Sequence, residues 1–119
     1  MSKKQNKLIG QIGENLAKNF LVDKGHHIIE QNFRTKFGEI DLITQDHDIL
    51  VFVEVKTKVG DDFGPPEEMF TRGKYRRVKN MATVYLKGTE VPSRIDVIAI
   101  VLDDTHRPIS IHHYPNLYF

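Results

Sequence analysis

The order of periodic segments in this chain predicts an α/β domain, a three-layer α/β/α sandwich around a central mixed sheet. Three observations carry that expectation. Apolar spacing switches between helical and strand periods in the order helix, three strands, helix, two strands. The segment Ile49–Val55 is apolar on both faces, with Leu50 and Phe52 pointing one way and Val51, Val53 and Val55 the other. That is the mark of a strand covered on both sides. A length of 119 residues fits one domain. A two-layer domain with one wet sheet face is the alternative.

The first helix is expected over residues 8–24. Ile9, Ile12, Leu16 and Phe20 recur at helical spacing, Gly13 and Ala17 lie beside them, and Gly25 supplies the stop. Gly10 and Gly13 each lower helix propensity by about 1 kcal/mol. Inward-facing glycines permit close approach, so this helix is expected to lie tight against a sheet. Strands follow at His26–Arg34, Gly38–Thr44 and Ile49–Thr57, the last two joined by the polar stretch Gln45-Asp46-His47-Asp48. After a Gly- and Pro-containing loop, Val59 to Pro66, a second helix is expected from Pro66 to Lys87, stopped by Gly88. Glu67 and Glu68 suit its first turn, and Gly73 is a weak point near its middle. Its buried stripe reads Tyr75, Val78, Ala82, Tyr85 and Leu86, and strands at Arg94–Leu102 and Ile109–Tyr114 close the domain.

Composition excludes several classes. The chain has no cysteine, which removes disulfide scaffolds, thiolate metal sites and thiol catalysis. Its 17 Lys and Arg nearly balance 16 Asp and Glu, so only the distribution of charge can identify a partner. The longest apolar run, Val97–Leu102, is far short of the roughly 20 residues that span a bilayer. Residues 1–7 read as a flexible basic N-terminus without an apolar signal core. No membrane association and a cytoplasmic location are the expectations.

Chemistry is concentrated in two adjacent strands. Glu54 and Lys56 interrupt the most apolar strand and share the face of Leu50 and Phe52, while Glu39 and Asp41 share a face of the preceding strand. A four-residue loop from Asp46 to Ile49 sets Asp41 across from Glu54, which places Glu39, Asp41, Glu54 and Lys56 on one face. An isolated Glu-x-Lys on a strand is usually a surface ion pair. Charges within an apolar strand are expensive, however, and the neighbouring acidic pair has matching parity. Crowded carboxylates repel unless a positive group lies between them. Lys56 could serve, and so could a hard divalent cation such as Mg2+ or Mn2+, with the Val55 carbonyl as a further ligand. Such an ion polarises a phosphodiester and acidifies a bound water that a lysine can orient.

The strings Gly38-Glu39-Ile40-Asp41-Leu42-Ile43 and Val51-Phe52-Val53-Glu54-Val55-Lys56 resemble the PD-(D/E)xK nuclease superfamily. More closely, the chain resembles the YraN-like family of small bacterial proteins. That likeness extends over Gly13-Glu14 with Ala17, Asn32-Phe33-Arg34, Phe63-Gly64, Lys74, Ala82 with Tyr85-Leu86, and Arg94-Ile95-Asp96-Val97. The resemblance implies a restriction-endonuclease-like fold and a single nuclease-like domain over residues 1–119. It implies metal-binding carboxylates at Asp41 and Glu54, a catalytic lysine at Lys56 and a supporting acid at Glu14. Glu39 is a possible accessory. Archaeal Holliday-junction resolvases are similar in size and layout, which makes a homodimer on branched DNA the corresponding expectation. Ile40 stands where the superfamily name has proline. At 100° per residue Glu14 falls at the edge of the apolar stripe, beside Gly10 and Leu21, within reach of the sheet's edge.

The second helix bears on the substrate. Arg72, Lys74, Arg76, Arg77 and Lys79 place five cations in eight residues, and Arg72, Arg76 and Lys79 share one face. Such a row can follow a phosphate backbone, although a solvated helix surface would look the same. Lys74 is offset from the row and, by the resemblance, matches a family lysine that could point toward the acidic site. The adjacent pairs His26-His27 and His112-His113 point to opposite faces and cannot chelate one ion unaided. Asp96, following Arg94, reads as a structural ion pair. A metal-dependent nuclease hydrolysing DNA phosphodiesters, with branched or damaged DNA as candidate substrates, is the leading expectation. A non-catalytic nucleic-acid-binding module and a protein-interaction domain are the alternatives.

Overall fold

Two helices and five strands follow one another as α1 (Lys3–Asp23), β1 (His27–Thr35), β2 (Gly38–Asp46), β3 (Ile49–Val59), α2 (Arg72–Leu86), β4 (Ser93–Leu102) and β5 (Pro108–Tyr114). The computed structural model describes residues 2–60 and 70–117. The strands lie in chain order in one sheet, β1-β2-β3-β4-β5. β3 and β4 are parallel and the other neighbours antiparallel, so the sheet is mixed and the segment holding α2 crosses over it. The β2–β3 ladder runs from Leu42–Val53 to Asp46–Ile49 and stops short of the expected Asp41–Glu54 pair.

Alternation along β3 divides the core. Val51 and Val53 pack with Ile9, Ala17 and Leu21 of α1, while Phe52 packs with Val78, Met81 and Ala82 of α2. One helix therefore covers each face of the central strands, and neither face is left wet there. Gly13 lets α1 come close, because a Cβ on it would lie 2.8 Å from Thr57 Cβ and collide with Thr57 Oγ1. A Cβ on Gly10 meets nothing within 4 Å. Of the two glycines, only Gly13 is needed for close approach.

The helix limits differ from those the spacing predicts. α1 begins at Lys3, so residues 3–7 are helical where a flexible arm was expected. Ser2 and Gln5 form a capping box that satisfies the first free amides. The described part of the second helix starts at Arg72, with the Thr71 hydroxyl accepting from the Lys74 amide. The start expected at Pro66, with Glu67, Glu68 and the Phe63-Gly64 pair, lies outside the described residues. Gly73 falls in the first turn of α2 rather than its middle. Lys87, at φ 50°, ends the helix one residue before the expected Gly88. Met81 is fully buried in the α2 stripe, a position the spacing did not single out. Among the described residues no helix is long and apolar enough to cross a membrane.

Candidate functional site

Alternation fails at one place in β2, and the acidic groups gather there. Ile40 and Ile43 both face α2, whereas Leu42 faces α1, so the two residues between the isoleucines cannot keep a strict period of two. On β1, Asn32 stands between the pairs Gln31–Leu42 and Phe33–Ile40, opposite Asp41, and adopts a left-handed φ of 53°. Asparagine tolerates that conformation better than most residues. The Asp41 carboxylate consequently turns into the seam where β2 leaves β3, and its Oδ2 accepts from the Val55 amide at 2.8 Å.

Glu14 from α1, Glu39 and Asp41 each offer a carboxylate oxygen within 4.8 Å of the others. With its amide turned to present NH2 to the acids, Asn32 donates to Glu14 Oε1 at 3.1 Å and also to Glu39 Oε1. Arg34 pairs with Glu39 at 3.2 Å on the exposed side. This group could bind a metal ion. It differs from the expected set, because Glu54 is not among the three. Glu54 and Lys56 continue the Leu50–Phe52 line on the α2 side, joined to each other at 3.4 Å. The expected single face for all four strand residues is thus divided, with Asp41 at the seam between its two halves. Val55 touches Asp41 through its amide. A strand residue's amide and carbonyl point to the same edge, so the Val55 carbonyl faces that seam as well.

The electrostatics follow from burial. Desolvation pushes the Asp41 carboxyl from 3.8 up to about 7. The Val55 amide opposes the rise, and the charges of Glu14 and Glu39 add to it. Desolvation, then the charge of Asp41, lifts Glu54 from 4.5 to about 7 against the pull of Lys56. Burial raises Glu14 too, with its bond to Asp41 opposing. Burial and mutual repulsion thus make full ionisation of Asp41 and Glu14 costly when no cation is bound. Lys74 reaches this side from α2. Burial first and the Lys56 charge second hold its ammonium below the usual lysine range.

The remaining cations lie along α2. Arg72, Arg76 and Lys79 are exposed, and the Arg77 stem packs against Gly38, 3.3 Å from where a Cβ would be. A second polar cluster lies under the C-terminal end of α1. Asp96, with 0% exposure, accepts from Arg94 Nε at 3.0 Å and from the Asn116 amide at 2.9 Å, and stands 2.7 Å from His113 Nε2. Arg94 continues to Asp46 at 3.1 Å, and His26 lies 3.7 Å from the same carboxylate. One member of each histidine pair, His26 and His113, thus meets the other at 6.2 Å between ring centroids. The Arg94–Asp96 ion pair is the one the sequence suggests. Asn32 is the residue the site reading missed, and its signal was a lone asparagine directly opposite a strand aspartate.

The fold and site define a small α/β protein whose sheet opens, beside a cation-rich helix, onto a half-buried carboxylate cluster. The family described as "Uncharacterised protein family UPF0102" matches residues 13–100. A UPF0102 protein of Dictyoglomus turgidum is 37% identical over 116 residues, covering 95% of this chain and 98% of the relative. One from Symbiobacterium thermophilum is 46% identical over 95 residues, covering 77% and 80%. One from Syntrophomonas wolfei is 43% identical over 102 residues, covering 83% and 89%. The chain belongs to the UPF0102 family, the YraN-like group that its motifs resemble.

Proposed function

We propose that this protein is a restriction-endonuclease-like nuclease that hydrolyses DNA phosphodiester bonds with a divalent cation, Mg2+ or Mn2+. The observation that carries the reading is the gathering of Glu14, Glu39 and Asp41, each with a carboxylate oxygen within 4.8 Å of the others. Asp41 and Glu54 are desolvated and pushed up to about 7, Asp41 beside Glu14 and Glu39 and Glu54 beside Lys56. Carboxylates in that condition gain most from a hard cation. The donor set fits one, since it offers carboxylate oxygens and no sulfur or imidazole. Asp41 and Glu54 would hold the ion, helped by Glu14, Glu39 and the Val55 carbonyl.

When bound, the cation supplies charge for the phosphoryl oxygens and lowers the pKa of a coordinated water. The chain's own groups do the rest. Asn32 and the Val55 amide fix the carboxylates of Glu14, Glu39 and Asp41. Lys56, anchored 3.4 Å from Glu54, would orient the attacking water or meet the scissile phosphate. Lys74 adds a second cation from α2, and Arg72, Arg76, Arg77 and Lys79 give the backbone a track away from the cut.

The test is a panel of linear, branched and single-stranded DNA incubated with Mg2+ or Mn2+ and, in parallel, with a chelator. Cleavage by the wild type that disappears in Asp41→Ala and Lys56→Ala is the expected result. If wild type and both variants are equally inert across the panel, the enzyme reading fails. Salt-dependent binding without cleavage would then leave a nucleic-acid-binding module.

A further inference from the structure

The β1–β2 turn carries a group that the acidic site does not use. Phe37 occupies this turn and is 61% exposed, the most exposed large hydrophobic residue among those described. The turn is fixed rather than loose. The Phe37 amide donates to Thr35 Oγ1 at 3.0 Å, and that hydroxyl donates onward to Met81 Sδ on α2 at 3.0 Å. Gly38, at φ 144°, gives the Arg77 stem room to pack beside it. An apolar ring is thus held in water by contacts that lock its backbone to α2.

Its surroundings are those of a nucleotide rather than of another protein core. Phe37, Val84, Gly73 and the stems of Arg76 and Arg77, with Asn80, line a groove of about 560 Å³. The floor is apolar and the rim cationic. Lys36 Nζ adds a further charge 5.3 Å from the ring centroid. Flat aromatic surface edged by guanidinium groups suits a base with its phosphates, because stacking needs only a π-face while the cations take the backbone. A fully paired duplex cannot use such a platform, since its bases are already stacked.

The position along the strand completes the case. Phe37, in the turn that leads into β2, precedes Asp41 by four residues, a reach of at most roughly 13 Å of extended chain. This is about four stacked base steps. The Arg77 stem packs beside the turn at Gly38, on the same helix as Lys74. We infer that Phe37, with Arg76 and Arg77, is a stacking platform for an unpaired base about four steps from the cut, so that the substrate is DNA with unpaired bases close to a duplex or branch. This inference rests on the nuclease reading and specifies its substrate class.

Two DNA probes in chelator separate the possibilities, a blunt duplex and the same duplex with a short single-stranded extension carrying 2-aminopurine. The wild type is expected to bind the extended probe roughly tenfold more tightly, with a change in 2-aminopurine emission. Phe37→Ala should reduce its affinity to that of the duplex and abolish the emission change, leaving duplex affinity and salt slope unaltered. Phe37→Trp should restore both. Arg76→Ala and Arg77→Ala should weaken both probes and reduce the salt slope by about one each. A Phe37→Ala protein that binds the extended probe like wild type overturns the platform, and Mg2+-dependent cleavage by that variant shows that the nuclease reading survives. A shift from dimer to monomer in Phe37→Ala by sedimentation, with probe affinities unchanged, would make the patch a contact between copies and also overturn it. Wild type that binds neither probe overturns the platform and the nuclease reading together.

Discussion

Asp41→Asn should make the cation-free protein more stable above neutral pH while removing the proposed cleavage. The folded-state pKa of about 7 lies above the ordinary 3.8, so between those values the native state holds a proton that the unfolded chain has released. Stability is fully retained below the unfolded value, falls as pH rises through this window, and levels off above the folded value. At about 1.4 kcal/mol per pH unit, the whole interval is worth about 4 kcal/mol. Asparagine removes that penalty and keeps an oxygen for the Val55 amide, the 2.8 Å bond that positions the side chain. Its NH2 can donate to Glu14. Urea denaturation followed by circular dichroism, in chelator at about pH 4 and about pH 8, reads the effect. The variant should exceed wild type by a few kcal/mol at the higher pH and by much less at the lower. Added Mg2+ should raise the wild-type midpoint at high pH and leave the variant almost unmoved, because a ligand stabilises only the state it binds. Equal destabilisation of the variant at both pH values, with no response of wild type to Mg2+, would refute the reasoning.

Two further predictions concern the frame that holds the site. Gly13→Ala should cost about 1–3 kcal/mol and displace Glu14, since its methyl collides with Thr57, whereas Gly10→Ala should stabilise α1 by about 0.5–1 kcal/mol in open space. Chemical denaturation of both variants checks the contrast. Arg94→Met should cost about 3–5 kcal/mol by leaving Asp96 charged and buried without its main cation. Burial alone would raise the Asp96 pKa, but the bonds from His113, Arg94 and the Asn116 amide outweigh it and hold the carboxyl below its usual range. The stability supplied by that carboxylate is therefore present above the ordinary aspartate value and is lost as pH falls through the lower folded one. Arg94→Met should flatten this acid limb, measurable as the difference in unfolding midpoint between neutral and acidic buffer.

Much of the frame was legible because it depends on short-range pattern. The two-sided apolar run of β3 required cover on both faces, and α1 and α2 supply it. The polar stretch Gln45–Asp48 announced the hairpin, whose ladder pairs Asp46 with Ile49 and ends at Leu42–Val53. Helix starts were harder, because Ser2 with Gln5 and Thr71 with Lys74 set them by side-chain bonds rather than by apolar period. The site itself was half legible. Residue types and motif order singled out Glu14, Asp41, Glu54 and Lys56, but parity alone put the strand residues on one face.

Sequence by itself thus determined the α/β class, the central strand, the family and which residues carry unusual charge. The tertiary structure alone decided how those charges are grouped. Alternation in a strand is a local rule, and it fails where a second strand forces a break. The left-handed Asn32 and the lost period at Asp41–Leu42 are two sides of one such break. They turn Asp41 toward Glu14 and Glu39 and leave Glu54 with Lys56 across the seam. Burial then supplies what no spacing can express, a proton held by carboxyls that would be ionised in water.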